Sequence, residues 1–402
     1  MRGFKFLGLI CAVIMIIGLL LPGCKKEEAT GTLDIGIATA LTGPAGSVGT
    51  NIQRGVEMAI ADQNAAGGVT IAGKRYLLNG IVRDNKFDPA TGKINAEELV
   101  YKLKVKAIFG PLPIESPSMQ TIANDNKVLM FLCSPHMTTP KQPYCFSLGS
   151  ITSNQYATVL EYLKEYYPDA KSVVSFNPDT ADSVMYMADA KKMFDYYGLN
   201  FLGDETFPFP VTTDFAPFVQ KLNTYNADII DLALCGGTAG PLVATMVKQI
   251  RESGFEGIIL MPTIPPTDIM VTLPQQYLNK IITNDINIDG PIVTNAYRDL
   301  INGYVEQYKE KPIDIFAQTY NPAYAFFKFL DGQKTMDTTQ WMEGFANYEW
   351  ESVYGEHSQW VGEPFYGINR ALLANFWASE WKNGKLETNF VAKLPLELWV
   401  SK

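Results

Sequence analysis

The order of apolar patterns along the chain is the feature that most limits its fold. Short apolar runs of strand length alternate with longer stretches of helical spacing, beginning with Leu33–Ala40 and Ile52–Asn64. The alternation restarts after residue 150. Repeated strand–helix alternation produces parallel sheets with helices on both faces. Two such series therefore predict an α/β protein with two doubly wound lobes. Near the C-terminus, Asn383-Gly384 between two strand-like runs predicts a hairpin.

Length and composition agree with this architecture. The chain has 402 residues, of which 47% are apolar and 19% charged. These values are typical of a folded globular protein, and the length suits two domains. The formal net charge is −9. This excess of negative charge argues against nucleic acid as a partner, because the phosphate backbone is itself anionic.

The first 24 residues have the pattern of an export signal. Arg2 and Lys5 precede the apolar run Phe6–Leu21, and Pro22-Gly23-Cys24 follows it. A positive start, a short apolar core and small residues before a cleavage site make a secretory signal. The run is shorter than the roughly 20 residues that a membrane-spanning helix needs, although an uncleaved anchor stays open as an alternative. Both interpretations place the rest of the chain outside the cytoplasm, in the periplasm or at the cell surface.

The cysteine at the end of this signal resembles that of a bacterial lipoprotein. The resemblance implies a signal peptide over residues 1–23 and lipidation of Cys24, which would anchor the protein to a membrane. Residues 24–32 are charged and small and lack periodicity, so we expect a flexible tether.

Cysteine and histidine are scarce in the remainder of the chain. Beyond Cys11 and Cys24, the cysteines are Cys133, Cys145 and Cys235. At most one disulfide can form among these three. Cys133 and Cys145 flank a turn-rich loop and are the candidate pair, while three buried thiols are the alternative.

The sequence offers little for catalysis. The two histidines are His136 and His357, and no C-x-x-C or H-E-x-x-H spacing occurs, so we expect neither a metal nor another cofactor. Ser47 lies in Ala45-Gly46-Ser47-Val48-Gly49, which approaches the G-x-S-x-G nucleophile elbow but lacks its first glycine. We therefore expect a protein that is not an enzyme, with an extracellular hydrolase as a weaker alternative.

Three loops after predicted strands carry a family resemblance. They are Ile37–Gly46, Gly110-Pro111-Leu112 and Ser134–Pro140. In this order and spacing they resemble the solute-binding proteins of branched-chain amino acid ABC importers, the leucine/isoleucine/valine-binding family. The resemblance spans nearly the whole chain after the signal. It implies a type I periplasmic binding protein fold, in which a three-crossover hinge joins two α/β lobes around a ligand.

Carried over to this sequence, the resemblance assigns residues 31–149 plus 286–352 to lobe 1 and residues 150–285 plus 353–402 to lobe 2. It implies the extracytoplasmic substrate-binding component of an ABC importer, which captures an amino acid or a related amide or carboxylate. The implied partners are the ABC permease and ATPase subunits, the chain being a monomer. A ligand-sensing module of the same fold, coupled to a receptor, is the alternative function.

The resemblance also implies ligand-binding positions in both lobes. They are Ser47, Ile114, Glu115, Ser116, His136 and Thr138 in lobe 1, and Asp182, Thr238 and Thr263 in lobe 2. Thr138 is the main candidate, because its hydroxyl and N–H can both bind an anionic oxygen. Ile114 stands where the family usually has a serine, so Ser116 is the substitute donor. His136 replaces a small residue and faces either the ligand or solvent.

The cation pocket of the family is altered. Amino-acid binders of the family have an acidic residue after a proline, where this chain has Thr263 after Pro262. Burying an ammonium group without an acidic partner costs on the order of several kcal/mol. Either Asp182 or Glu115 therefore supplies the negative charge, or the ligand is not an α-amino acid.

Overall fold

The computed structural model describes residues 29–209, 211–235, 242–263, 267–355, 357–374 and 376–399. The predicted signal peptide, Cys24 and most of the predicted tether lie outside these ranges.

Helices and strands alternate through both halves of the described chain, as the apolar pattern predicts. The strands are β1 Gly31–Thr39, β2 Val69–Ile71, β3 Lys74–Asp84, β4 Ala107–Phe109, β5 Leu129–Leu132, β6 Cys145–Ser147, β7 Ser172–Pro178, β8 Asn200–Phe207, β9 Ile229–Asp231, β10 Ile258–Met261, β11 Ile281–Thr283, β12 Trp350–Glu351, β13 His357–Val361, β14 Ala371–Leu373, β15 Trp377–Lys382 and β16 Lys385–Val391. The helices are α1 Gly46–Ala66, α2 Pro89–Glu97, α3 Ser116–Asp125, α4 Thr152–Tyr166, α5 Ala181–Tyr196, α6 Ala216–Asn223, α7 Val243–Glu252, α8 Thr267–Met270, α9 Asn295–Tyr308, α10 Ile315–Leu330, α11 Thr338–Phe345 and α12 Glu363–Tyr366.

The first sheet has six strands in the order β2-β3-β1-β4-β5-β6. All its pairings are parallel except that of β2 with β3, and Ile37 at its centre pairs with Val82 and Phe109. The order reverses at β1, which β3 flanks on one side and β4 on the other. Ligands of open α/β sheets bind at such a reversal, beyond the carboxyl ends of the strands.

The second sheet has seven strands in the order β16-β15-β11-β10-β9-β7-β8. Strands β7 to β11 are parallel, while β15 and β16 form an antiparallel hairpin at one edge. The turn of this hairpin has positive φ at Asn383 and Gly384, 50° and 78°, which is why Asn-Gly suits it. The predicted hairpin is confirmed.

Helix α1 begins earlier than its apolar spacing predicts, at Gly46 rather than Ile52. Its first turns are polar and rich in glycine, so they carry no helical period. Gly49 in these turns packs so closely on the end of β1 that an added Cβ would lie 1.8 Å from the carbonyl oxygen of Ala40. The glycine thus lets the helix start directly against the strand that precedes it.

A three-stranded sheet of β12, β13 and β14 lies between the two large sheets and was not predicted. Alternate residues of a strand point to opposite faces. Trp360 and Leu372 accordingly pack in the core of the first sheet, whereas Val361, Ala371 and Leu373 pack in a core of the second. This small sheet therefore contributes to both cores, and its strands are too short to show a clear period in the sequence. No helix of the described ranges is long and apolar enough to cross a membrane.

Candidate functional site

Loops from the two large sheets meet around the ring of His136. This histidine lies in the 3-10 turn Pro135–Met137 that follows β5 of the first sheet. Its ring contacts Thr152 at the start of α4, and it contacts α5 and α12, which pack on the second sheet. The carboxyl-end loops of one sheet thus face helices of the other across a polar junction.

The imidazole of His136 lies between two carboxylates of α5. Its Nε2 is 3.2 Å from Oδ2 of Asp189 and 3.3 Å from Oγ1 of Thr152. Its Nδ1 is 4.0 Å from Oδ1 of Asp182. The side chain is 7% exposed, so His136 faces neither open solvent nor the interior of its own sheet. It fills space between the two halves of the protein.

Asp189 is the most buried carboxylate of this junction. The hydroxyl of Tyr366 donates to its Oδ2 at 2.7 Å, and Lys192 Nζ is 3.4 Å from its Oδ1. The rings of Tyr366 and His136 also pack edge to face, with centroids 5.5 Å apart. Asp189 was not among the predicted residues, although it follows Asp182 by seven positions, a spacing that puts both on one face of a helix.

Asp182 is the partly exposed carboxylate of the junction. It lies in the first turn of α5, where a negative charge interacts favourably with the helix dipole. Ser134 Oγ is 3.5 Å from its Oδ1, and 29% of the side chain is exposed. Burial raises the pKa of Asp182, and the contacts with His136 and Ser134 offset part of that effect. Of the predicted second-lobe residues that the structure describes, Asp182 is the one that lies beside His136.

Glu115, the other predicted acidic residue, points into the first lobe. Its side chain is buried, and its Oε2 accepts hydrogen bonds from Asn85 Nδ2 at 2.8 Å and from the N–H of Leu112 at 3.2 Å. Its Oε1 is buried and has no hydrogen-bond partner among the described residues. Burial raises the pKa of Glu115, with the two hydrogen bonds opposing. This carboxyl group joins the loop after β4 to the end of β3 instead of facing the junction.

The two predicted hydroxyl donors of the first lobe are bonded within their own loops. Ser116 Oγ donates to the carbonyl oxygens of Pro111 and Leu112, at 3.2 and 2.9 Å. Both the hydroxyl and the N–H of Thr138 donate to the carbonyl oxygen of Pro135, at 2.7 and 3.0 Å. In this structure both donors of Thr138 are therefore used within its own loop, and its role as a ligand anchor stays a prediction.

The other predicted positions are dispersed. Ser47 is exposed in the first turn of α1, and Ile114 is 46% exposed in the loop after β4. Thr263 Oγ1 donates to the carbonyl oxygen of Ala233 at 2.6 Å, which ties together the loops after β9 and β10. Thr238 lies outside the described residues. The candidate site is therefore the junction around His136, with Asp182, Asp189, Thr152, Ser134 and Tyr366.

The candidate disulfide is absent from the structure, in which Cys133 and Cys145 are both free thiols. Met130 pairs with Cys145 in the parallel ladder of β5 and β6, so Cys133 lies three residues farther along the strand. Three residues of strand span about 10 Å, whereas a disulfide needs Cα atoms within about 7 Å. All three thiols are unpaired, but the alternative of three buried thiols holds only for Cys145 and Cys235, because Cys133 is partly exposed.

One indentation lies away from the junction, and no metal site is found within the described ranges. An indentation of about 600 Å³ lies at the opposite edge of the second sheet, among residues that precede β9, β10 and β11, such as Asp228, Gly257 and Lys280. It is remote from the junction, because those residues stand at the amino ends of the strands. Within the described ranges, no three His, Cys, Asp or Glu side chains are arranged to hold a metal ion.

Two parallel α/β sheets whose carboxyl-end loops meet at a polar junction define a two-lobed ligand-binding protein. A profile of the periplasmic binding protein family matches residues 32–385. The chain belongs to this family, as its loops predicted.

Comparison with individual proteins agrees with this assignment. The leucine-, isoleucine-, valine-, threonine- and alanine-binding protein of Pseudomonas aeruginosa is 24% identical over 273 residues, 65% of this chain and 67% of that protein. The branched-chain amino acid transporter substrate-binding protein LivJ of Streptococcus pneumoniae, solved with isoleucine, superimposes with a TM-score of 0.69 at 20% identity. The match covers 90% of this chain and 99% of that one.

A solute-binding protein of an ABC transporter from Rhodopseudomonas palustris, solved with 3,4-dihydroxybenzoic acid, gives a TM-score of 0.68 at 20% identity. It covers 90% of this chain and 97% of that one. These similarities show that the predicted type I periplasmic binding protein fold is correct.

Proposed function

We propose that this protein is the extracytoplasmic solute-binding component of an ABC importer and that it captures an amino acid between its two lobes. The observation that carries the proposal is the polar junction, where His136 of the first lobe meets Asp182 and Asp189 of the second. Closure of two lobes around a small ligand is a recurrent transition of such folds. No covalent step is involved.

The lobes are proposed with the boundaries that the family resemblance implies, residues 31–149 plus 286–352 and residues 150–285 plus 353–402. Helices α9, α10 and α11 support this division, because their buried residues belong to the core of the first sheet. The small sheet β12–β14, which contributes to both cores, lies at the third proposed crossover.

Electrostatics at the junction favour a ligand that carries an amino group. Asp182 and Asp189 bring two carboxylates to the junction, and the Lys192 ammonium, half exposed at 54%, lies behind Asp189 on the same helix. A cation between lobes needs an acidic partner. Glu115 is engaged inside the first lobe, so Asp182, with its partial exposure, is the proposed partner of the ligand ammonium group.

A matched set of ligands tests this proposal. L-Leucine, isocaproate and isoamylamine share one branched chain and differ in their charged groups, and the other L-amino acids complete the panel. A ligand that binds the folded state raises the melting temperature by mass action, and calorimetry gives the affinity. We expect an L-amino acid to bind and its carboxylate counterpart without the amine to bind far more weakly.

Asp182→Asn tests the acidic partner. We expect this variant to lose about tenfold or more in affinity for the amino acid, since a partnerless buried cation is costly. Asp179→Asn is the control, because Asp179 is an exposed carboxylate three residues earlier, in the loop that precedes α5. Equal affinities for the amino acid and its carboxylate counterpart, or no stabilisation by any amino acid, would overturn the proposal.

The proposed cellular setting follows from the first 24 residues. We propose export, lipidation at Cys24 and attachment to a membrane, where the chain acts as a monomer with an ABC permease and its ATPase subunits. A tether keeps a capture protein near its permease at high effective concentration. Metabolic labelling with a radioactive fatty acid checks the anchor: the wild type should incorporate label and Cys24→Ser should not.

A further inference from the structure

We propose that His136 is a proton-dependent clasp: its protonated ring bridges Asp182 and Asp189 and thereby favours the closed arrangement of the two lobes. The inference rests on the proposed function in so far as closure is the step on which the clasp acts. It predicts that closure of the solute-free protein becomes more favourable as the pH falls.

The hydrogen-bonding groups around the ring of His136 match two donors. A neutral imidazole has one N–H donor and one acceptor nitrogen, whereas a protonated imidazole has two donors. Both nitrogens of His136 face carboxylate oxygens, Nε2 that of Asp189 at 3.2 Å and Nδ1 that of Asp182 at 4.0 Å. An ionised carboxylate only accepts. A neutral ring would therefore turn a lone pair towards one of the two acids, and only the charged ring satisfies both.

His136 and Asp189 form a buried pair. The side chains of His136 and Asp189 are 7% and 5% exposed. Charge pairs in such surroundings are screened less than pairs at the surface. Nδ1 of His136 is buried and has no hydrogen-bond partner in the described part of the chain. A proton at this nitrogen would point towards Asp182, which a shift of about 1 Å would bring to hydrogen-bond distance.

The surroundings of the pair determine how strong the effect is. Tyr366 shares Oδ2 of Asp189 with His136, and Thr152 Oγ1 is a second neighbour of Nε2. Lys192 lies 3.4 Å from Oδ1 of Asp189 and competes for its charge, but with 54% of its side chain exposed its own charge is screened by solvent. Ser134 donates towards Asp182. The net charge facing the ring from α5 and α12 is therefore negative.

His136 and its two carboxylate partners lie on different lobes. His136 follows β5 of the first sheet, whereas Asp182 and Asp189 are on α5, which packs on the second sheet. Any motion that opens the cleft between these elements separates the charges. An interaction made only in the closed state shifts the equilibrium between open and closed forms by its own free energy. Asp182 has two oxygens, and its described contacts use Oδ1, which leaves the other for a solute ammonium group.

The decisive measurement is made on solute-free protein. Lys86 and Asp179 are exposed at the carboxyl edges of the first and second sheets. Cysteines introduced at these two positions carry a donor and an acceptor fluorophore, and energy transfer between them reports the distance between the lobes. We expect the closed-to-open ratio to rise roughly fivefold between about pH 8 and pH 5.5.

Three variants in the labelled background make the test specific. His136→Gln keeps a polar side chain that does not titrate and should abolish the pH response. Asp189→Asn removes the charge of the carboxylate that approaches the ring at 3.2 Å and should abolish most of the pH response. His357→Gln removes the other histidine of the chain and should leave the pH response intact. Circular dichroism and melting temperature confirm that each variant is folded.

Two results would overturn the clasp: no change in energy transfer between these pH values in the wild type, or the same change in His136→Gln. The solute panel described above is a separate measurement. If no amino acid binds while energy transfer still depends on His136, the proposed function fails and the clasp stands. If an amino acid binds but energy transfer does not depend on His136, the proposed function stands and the clasp fails.

Discussion

The hydroxyl of Tyr366 lies 2.7 Å from Oδ2 of Asp189, the same oxygen that the ring of His136 approaches at 3.2 Å. Burial raises the pKa of this tyrosine well above its usual value, and the negative charge of Asp189 adds to the increase. The phenol therefore stays a neutral donor throughout the physiological range. It holds the buried carboxylate in place for the histidine.

Replacing this donor should lower stability. We expect Tyr366→Phe to cost about 2 kcal/mol of unfolding free energy, because a hydrogen bond to a buried charged group is worth about 1.5–3 kcal/mol. Urea unfolding measures the effect. Tyr348→Phe is the control, since the hydroxyl of Tyr348 makes no hydrogen bond within the described ranges and its ring packs on Phe345. Equal stability of both variants would contradict the role of Tyr366.

A second prediction concerns the pH dependence of stability. Burial raises the pKa of Asp314 to about 7, and the hydrogen bond from Gln318 opposes the shift. The unfolded chain ionises this group near 3.8. Between these values the folded state holds a proton that the unfolded state releases, so stability falls as the pH rises through this window. Asp314→Asn should therefore be more stable than the wild type at about pH 8, by a few kcal/mol at most, and similar to it near pH 4.

Asp231→Asn provides the contrast, although burial also raises the pKa of Asp231 to about 7. Its carboxylate accepts hydrogen bonds from Tyr156, Ser175 and the N–H of Ala233, and an amide cannot replace all of these acceptors. We expect this variant to be destabilised at every pH. Calorimetric melting at several pH values checks both variants, and a pH-independent difference for Asp314→Asn would refute the assignment.

The cysteines give a third prediction. Mature protein with Cys24→Ser, unfolded without any reductant, should release three thiols to a disulfide reagent, those of Cys133, Cys145 and Cys235. The native protein should react slowly, because Cys145 and Cys235 are buried and burial also raises their thiol pKa. A yield of one thiol per unfolded chain would mean that Cys133 and Cys145 pair after all.

A fourth prediction tests the contact between α1 and β1. Gly49→Ala would place a Cβ 1.8 Å from the carbonyl oxygen of Ala40, so the helix start must move. We expect a loss of about 2 kcal/mol or more, as for other overpacked sites. Gly303→Ala, in α9 with the nearest atom 3.7 Å away, is the control and should stabilise slightly, by about 0.5–1 kcal/mol. Similar melting temperatures for the two variants would disprove the close contact.

The architecture was largely predictable, because a strand or helix that packs on one side repeats its apolar residues with a fixed period. This is why β1, most of α1 and the Asn383-Gly384 hairpin were expected. The first turns of α1 and the short strands β12 and β13 were missed. They are polar or too short for a period, and the packing of other elements maintains them.

The site was less predictable. Asp182 and His136 were expected at a cleft, and the structure brings them together. Thr138 was expected to face an anion, yet both of its donors turn to Pro135 within the same loop. Which way a loop side chain turns depends on competing acceptors nearby, and the sequence alone does not reveal their geometry.

By itself, then, the sequence determined the alternation of strands and helices, the hairpin and the family to which the loops belong, since each depends on residues close together in the chain. The tertiary structure alone decided the partners of His136. Asp189 is 53 residues away from it along the chain, and Tyr366 is another 177 residues from Asp189. No local pattern connects such positions, and only the packing of α5 and α12 against the loop after β5 brings them within hydrogen-bond distance.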